Sequence, residues 1–471
     1  MKILLINPGL SRQKVGHYSD KIEKNRGVYP SLGLLYIAAV LKQEGHRIEV
    51  IDVDIEPVPQ NRIIRSLTSL KPDVLCIHVM TWSFHQANEI AKLAKNTLPS
   101  ICVIAGGAAI TSTPEPAMKH SVFDYGVIGE GEKTTVQLLQ TLGSKADTSK
   151  IPGIIYRKNR ELFLNGQRAL IETLDLIPNP AREMVKLNRY SDALSRERAS
   201  ATMITSRGCP YSCIYCDRRN RMGNKWRSFS NLRIVGEMQE LKDRYGIKEV
   251  MFFDDEFITD RLRTIELCNL ILEKKIKMIW ECRSRVDMVD RELLRIMKKA
   301  GCYRIRFGFE SGDDAILKIL KKGISVTQSL ECSRMVKESG IELFGYFMFG
   351  CPGETEKTVQ KTIELAFAIE PDFAVFSKTI LIPGSELFEW AASEKLIPAD
   401  YWEKFLAGQI TDTAPCLSSK ELPAQRVDQI IKETNRRFYL RPKFIMRKLG
   451  KIRSLPQLIK QIHMAGAFLN H

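Results

Sequence analysis

An α/β fold made of two successive parallel sheets, followed by a basic helical segment, is what this 471-residue sequence predicts. Three observations predict it. Apolar strand-like runs alternate with helix-period segments twice, over residues 1–145 and again over 199–400. A stretch broken by Pro178 and Pro180 lies between the two series. Beyond Glu433 no acidic residue occurs, while Arg436, Arg437, Arg441, Lys443, Arg447, Lys448, Lys451, Arg453 and Lys460 follow.

In the first series, strands are expected at 2–7, 46–52, 73–79 and 100–105, with helices at 30–41, 61–70 and 84–96. This period makes a doubly wound, Rossmann-like sheet, which binds its ligand outside the carboxyl ends of its strands. Four clusters fall at those ends: Asn7-Pro8; Met80, Thr81, Trp82 and Ser83; Gly106, Gly107 and Ala108; and Gly129, Glu130 and Gly131. Glycine at such positions lets backbone approach a bulky ligand closely. Taken alone, the pattern fits a nucleotide, another large cofactor or no ligand. Residues 146–198 read as a hairpin turning at 158–160 and then a linker.

The second series opens on Cys209, Cys213 and Cys216, three thiols within eight residues after an apolar run at 201–204. A structural zinc site wants four ligands and is closed. Three thiolates on an iron–sulfur cube leave one iron open to a substrate or cofactor. Zinc or redox thiols are the alternatives. Further strands are expected at 249–253, 277–282, 302–309, 341–349 and 373–379, so that with 201–206 there are six. The carboxylates Asp254, Asp255 and Glu256 follow the second of these, Arg283 and Arg285 end the third, and Glu310 and Ser311 end the fourth. Helix capping is the ordinary role for one of the carboxylates, and a structural ion pair is an alternative for Arg285.

The Cys-x3-Cys-x2-Cys spacing, with Tyr215 before the last Cys, resembles the cluster loop of the radical S-adenosylmethionine (SAM) superfamily. The six strands match that family's partial (β/α)6 TIM-like barrel. Gly308-Phe-Glu310-Ser311-Gly312 is similar to its ribose-binding segment, and Gly345 to Gly353 to its fifth-strand segment. The first half resembles the cobalamin-binding domain fused to many of these enzymes, in its Asn-Pro turn, its Gly-Gly turn and the run Asp124-Tyr-Gly-Val-Ile-Gly129-Glu-Gly-Glu132. The resemblance implies a [4Fe–4S] cluster on the three Cys. It implies SAM contacts among Tyr215, Asp254, Asp255, Glu256, Arg283, Arg285, Glu310 and Ser311, with one of the two arginines on the SAM carboxylate. It implies cobalamin against the four strand-end clusters. No Asp-x-His-x-x-Gly string occurs, so no protein His on cobalt is expected; His78 is expected to be a satisfied interior residue.

The activity implied by the resemblance is cleavage of SAM to a 5′-deoxyadenosyl radical, removal of hydrogen from an unactivated carbon and transfer of methyl from methylcobalamin. Cyclisation, oxidation or rearrangement without methyl transfer, as in the anaerobic magnesium-protoporphyrin ester cyclases, is the second expectation, and a non-catalytic iron–sulfur or corrinoid-binding protein the third. The partners implied are a small-molecule or lipid-like substrate and an electron donor such as flavodoxin or ferredoxin.

Composition agrees with a globular chain, at 44% hydrophobic residues and no low-complexity tract. Eleven Cys and an opening without a secretory pattern point to a reducing, cytoplasmic setting. No run of 18 apolar residues is present. The net charge of +16 and the basic stretch after 433 favour an anionic partner. A membrane surface is favoured over nucleic acid, since no aromatic platform accompanies the charge; a helical cap on the barrel is the alternative. The segments expected are 1–145, 146–198, 199–400 and a helical 401–471.

Overall fold

The computed structural model describes the chain apart from residues 10–26, 57, 191, 193, 198, 218–221, 420 and 450–471. Its first sheet orders as β2-β1-β3-β4-β5-β6-β7. The strands are β1 (Lys2–Asn7), β2 (Arg47–Asp52), β3 (Val74–His78), β4 (Cys102–Gly106), β5 (Tyr125–Val127), β6 (Ile154–Lys158) and β7 (Glu161–Leu164). The first five are parallel; β6 and β7 add antiparallel at the edge. Near-continuous apolar runs such as Ile3 to Ile6 form these strands because helices cover both faces. The expected hairpin therefore extends the first sheet, and the linker proper begins after it.

The second sheet is the six-stranded β15-β14-β13-β12-β11-β8, parallel throughout. Its strands are β8 (Ser200–Met203), β11 (Glu249–Phe252), β12 (Ile279–Ser284), β13 (Cys302–Glu310), β14 (Glu342–Phe349) and β15 (Phe373–Lys378); a small antiparallel ribbon, β9 (Ser206–Arg207) with β10 (Arg227–Ser228), flanks the cluster loop. Alternation sets the two faces. Phe307, Phe309, Phe347, Phe349 and Phe376 are fully buried in the core that includes the outer helices. Arg306, Gly308, Tyr346, Met348, Val375 and Ser377 are half-exposed and face inward.

After β15 the chain returns to the first domain. Leu387, Phe388, Trp402, Phe405 and Leu406 share one core with Ile77, Phe84 and Phe123. The indole of Trp82 donates to the Thr413 carbonyl at 2.9 Å, and Glu403 pairs with Lys119 at 2.7 Å. The helix Ala424–Tyr439 then lays Val427, Ile430, Ile431 and Phe438 against the barrel. Its basic neighbours are engaged there too: Arg441 lies over Phe438 and Phe367, and Lys443 pairs with Glu370. For these residues the cap is the arrangement found; the basic run from 450 onward lies outside the described residues. No helix among the described residues is long and apolar enough to cross a membrane.

Candidate active site at the barrel mouth and domain interface

The loop carrying Cys209, Cys213 and Cys216 leaves the ribbon strand β9 through Gly208, whose φ of +84° and proximity to the Lys225 carbonyl oxygen leave no room for a Cβ. Ile214 pins the loop from beneath. It is buried with Leu320 and Leu387, its N–H donates to the Leu320 carbonyl at 3.2 Å and its carbonyl accepts from Leu387 at 2.8 Å. All three thiols stay half-exposed and unbridged. Burial pushes the Cys209 thiol up, and the neighbouring Glu256, Cys216 and Cys213 add to this. Among the described residues no three Cys, His, Asp or Glu side chains are gathered as ligands of one metal ion would be. As a donor set, three accessible thiols on one anchored loop fit a cluster that keeps an open iron.

Beside the loop, Glu310 ends β13 in the left-handed region, at φ +63°, just past an irregularity in pairing with β14. A non-glycine residue there costs about 1–3 kcal/mol, which the surroundings must offset. Lys322 pairs with Glu310 at 2.8 Å, and the Tyr215 hydroxyl donates to the same oxygen at 3.0 Å. Gly308 makes this possible, because a Cβ there would run into Glu310 Oε1 and, at 2.8 Å, Lys322 Nζ. Lys322 is fully enclosed; burial alone would lower its pKa, but Glu310 and Cys213 raise it on balance. It escaped the sequence reading because it sits in a Lys-Lys-Gly turn after a short helix, like any surface lysine.

The other expected SAM contacts divide. Asp254 is 1% exposed and accepts from Thr205 N and Oγ1 and from Ser206 Oγ, so it braces the strand entering the cluster loop. Ser311 is fully buried with its hydroxyl on Thr362 at 3.2 Å. Both side chains, expected as ligand contacts, are engaged within the protein. Glu256 is buried beside Ser284 at 2.8 Å, and desolvation pushes its carboxyl up to about 7. Asp255 remains half-exposed.

The two arginines also separate. Arg285 makes a two-point pair with Asp287 at 2.9 Å, donates to Lys322 O and lies 3.8 Å over the Tyr211 ring. Arg283 is half-exposed, lies over the Phe253 ring at 4.6 Å, and its guanidinium has no ion-pair or hydrogen-bond partner among the described residues.

In the first domain, the ends of β3, β4 and β5 present half-exposed Met80, Trp82, Gly106, Gly107 and Gly129 beside buried Thr81, Ser83 and Ala108. Gly107, at φ +121°, touches the turn after β3: a Cβ would lie 2.8 Å from Val79 O. This backbone-walled surface fits a flat, bulky cofactor such as a corrin edge. Pro8 is buried, and Asn7 beside it is turned aside, donating to Asp52 at 2.9 Å while Tyr190 from the linker donates to the other oxygen at 2.8 Å. His78 is satisfied, as expected, by Ser31 at 3.1 Å.

Glu130, expected as a ligand contact, is engaged in buried ion pairs. It pairs with Arg227 at 2.9 Å and with Arg207 at 3.1 Å, and accepts from Ile171 N at 2.7 Å. Glu132 holds the other side of Arg207 at 2.5 Å, and all four side chains are no more than 7% exposed. Arg207 lies two residues before Cys209, and Glu130 sits between Gly129 and Gly131. A buried four-residue clasp thus joins the glycine turn of one domain to the cluster loop of the other.

The family model described as the radical SAM superfamily matches residues 203–366, and that of the B12 binding domain matches 21–139. An uncharacterized methyltransferase of Pyrococcus horikoshii is 31% identical over 422 residues, spanning 89% of this chain and 90% of that protein. The anaerobic magnesium-protoporphyrin IX monomethyl ester cyclase of Cereibacter sphaeroides is 24% identical, spanning 94% and 71%. Among solved structures, the cobalamin-dependent SAM radical enzyme OxsB with aqua-cobalamin and SAM bound aligns at a TM-score of 0.77 and 18% identity, covering 99% of this chain and 72% of that one. The methyltransferase TsrM of Kitasatospora setae, with cobalamin and a [4Fe–4S] cluster, aligns at 0.68 and 20%, covering 83% and 75%. These two show a shared fold.

Proposed function

The chain belongs to the cobalamin-dependent radical SAM enzymes, with a [4Fe–4S] cluster, SAM and cobalamin as cofactors, and from that premise we propose that it methylates an unactivated carbon of a small or lipid-like substrate. The observation that carries this reading is the buried clasp of Glu130 and Glu132 with Arg207 and Arg227, which ties the cluster loop to the glycine turn of the first domain. Methyl transfer to a carbon radical needs its two cofactors at a fixed separation, and position is what a protein supplies to such chemistry.

When bound, the cofactors supply one-electron cleavage of SAM and a methyl group carried on cobalt. Cys209, Cys213 and Cys216 would hold the cluster. Lys322 and Tyr215 hold Glu310 in place through one of its oxygens, so its carboxylate can accept from a ribose diol. Phe253, Met348 and Val375, half-exposed on the lumen face, form an apolar wall that would exclude water from a reactive carbon. No protein nucleophile enters.

A low-potential donor such as flavodoxin or ferredoxin would deliver the electrons. Contact with an anionic membrane would fall to residues 450–471, because Arg441 and Lys443 are engaged with the barrel. Sedimentation of the full chain and of residues 1–449 with anionic vesicles tests it; equal recovery refutes it. For the reaction, anaerobic protein with reductant and methyl-labelled SAM is incubated with a small-molecule cell extract. Formation of 5′-deoxyadenosine and S-adenosylhomocysteine with label in a product is expected. 5′-Deoxyadenosine without label transfer would replace methylation by a cyclase-type outcome.

A further inference from the structure

Arg283 and Arg306 are register partners on adjacent strands, with side chains on the lumen side of the barrel. Neighbouring charged groups on these strands are paired. Arg304 meets Glu281 and Glu342 at 2.9 Å each, and Tyr303 donates to Glu249. Arg306 spends its terminal nitrogens on Glu281, on Asp192 at 3.3 Å and on the Tyr346 hydroxyl at 3.5 Å, but its buried Nε has no partner among the described residues. Among the described residues the Arg283 guanidinium meets only the Phe253 ring, and that ring packs in turn on Tyr29 from the first domain, 4.9 Å between centroids. A half-buried guanidinium that no carboxylate or carbonyl among the described residues holds, next to a second whose buried N–H has no partner among them, invites an anion.

We propose that Arg283, seconded by Arg306, receives an acidic group of the substrate, a carboxylate or phosphate, so that the substrate enters the barrel acid-first and leaves its carbon skeleton beneath the domain interface. The proposal rests on the reading of this chain as an enzyme acting on a substrate held between barrel and first domain, and names the substrate's chemical class. SAM has its own carboxylate, and depth separates the two sources. Arg306 lies four residues before Glu310 on β13, roughly 13 Å along the strand at about 3.3 Å per residue, and Arg283 lies two residues, roughly 7 Å, before Arg285, which reaches the Tyr211 ring of the cluster loop, so the arginine pair sits a step below both the ribose-aimed carboxylate and the loop. Phe253, Tyr29 and Tyr346 around the guanidinium pair suit an anion carried on an apolar or aromatic body.

Titration calorimetry of the full chain with octanoate, and with octanol as its uncharged counterpart, tests this. The wild-type protein is expected to bind octanoate at least tenfold more tightly than octanol. Arg283→Met is expected to erase that preference while Arg283→Lys retains it, with circular dichroism of all three unchanged. In cluster-loaded protein, saturating SAM is expected to leave octanoate binding in place. No octanoate binding, equal binding of the two probes, or a preference that survives Arg283→Met would overturn the proposal. Displacement of octanoate by SAM would overturn it as well, by giving the guanidinium to the cofactor. Failure of the enzyme reading is seen separately, as absence of 5′-deoxyadenosine from cluster-loaded wild-type protein.

Discussion

Replacing Arg207 by Met cuts the clasp at its centre. Glu132, 5% exposed, loses its guanidinium, while Glu130 keeps Arg227. Removing one partner of a buried ion pair costs about 3–5 kcal/mol. At about 2.1 cal/mol/K per residue, the unfolding entropy of the 471 residues is roughly 1 kcal/mol/K. The midpoint should therefore fall by about 3–5 °C if the chain melts as a unit, and by about 8–14 °C if only the roughly 170 residues around the first sheet melt together. The assay is anaerobic scanning calorimetry of cofactor-free protein, with Glu132→Met/Arg207→Met as control. The double variant replaces charge by charge-free volume and should recover at least half of the loss, since apolar substitution of a buried pair is near neutral. In loaded enzyme, methylated product per 5′-deoxyadenosine should fall in the single variant, because SAM cleavage sits wholly in the barrel. A midpoint shift below 1 °C, or a double variant no better than the single, would refute the argument that this ion pair couples the two sheets.

Cys213→Ala should remove cluster iron and sulfide along with 5′-deoxyadenosine formation, whereas Cys351→Ala, at a buried thiol 3.1 Å from Thr379, should leave both in place; iron analysis and chromatography read the difference. Lys322→Met should weaken SAM binding to cluster-loaded protein by about tenfold or more, measured by equilibrium dialysis, since a charge-assisted hydrogen bond is worth about 1.5–3 kcal/mol. Asp52 sets a pH dependence. Desolvation lifts its carboxyl from 3.8 to about 6, against the hydrogen bonds from Tyr190 and Asn7. Between those values the folded chain keeps a proton that the unfolded chain releases. Stability therefore falls as pH rises from about 4 to 6, by at most roughly 3 kcal/mol, and is level above. Asp52→Asn should remove that decline from melting curves taken across pH 4–7.

Where one physical signal decided the structure, the sequence was enough. Apolar runs bounded by polar turns placed β13 at 302–309 against an observed Cys302–Glu310, and β14 at 341–349 against Glu342–Phe349. The three Cys stood out by their spacing, and the fold keeps them half-exposed on one anchored loop. Side-chain partnerships between distant segments were not. Arg285 donates to the Lys322 and Gly323 carbonyls, 37 and 38 residues away, while the guanidinium of Arg283, two residues earlier, has no polar partner among the described residues, and their neighbours in the chain do not announce that difference. Glu130 read as a strand-end ligand because its partners Arg207 and Arg227 lie 77 and 97 residues away. The hairpin at 154–164 was recognised, but its pairing with β5 depends on an edge that only the folded sheet exposes.

The return of residues 386–417 to the first domain has a consequence for how the protein comes to be made. Trp402 and Phe405 complete a core whose other half, Ile77, Phe84 and Phe123, is synthesised some three hundred residues earlier. On the ribosome, where domains usually close in order from the amino end, this one must wait with part of its apolar face uncovered. Trp82, beside the glycine-lined strand ends, gains its carbonyl partner Thr413 only once 331 further residues have been made. Corrinoid capture should therefore follow chain completion, and a nascent chain stalled near residue 380 should bind cobalamin poorly however long it is given.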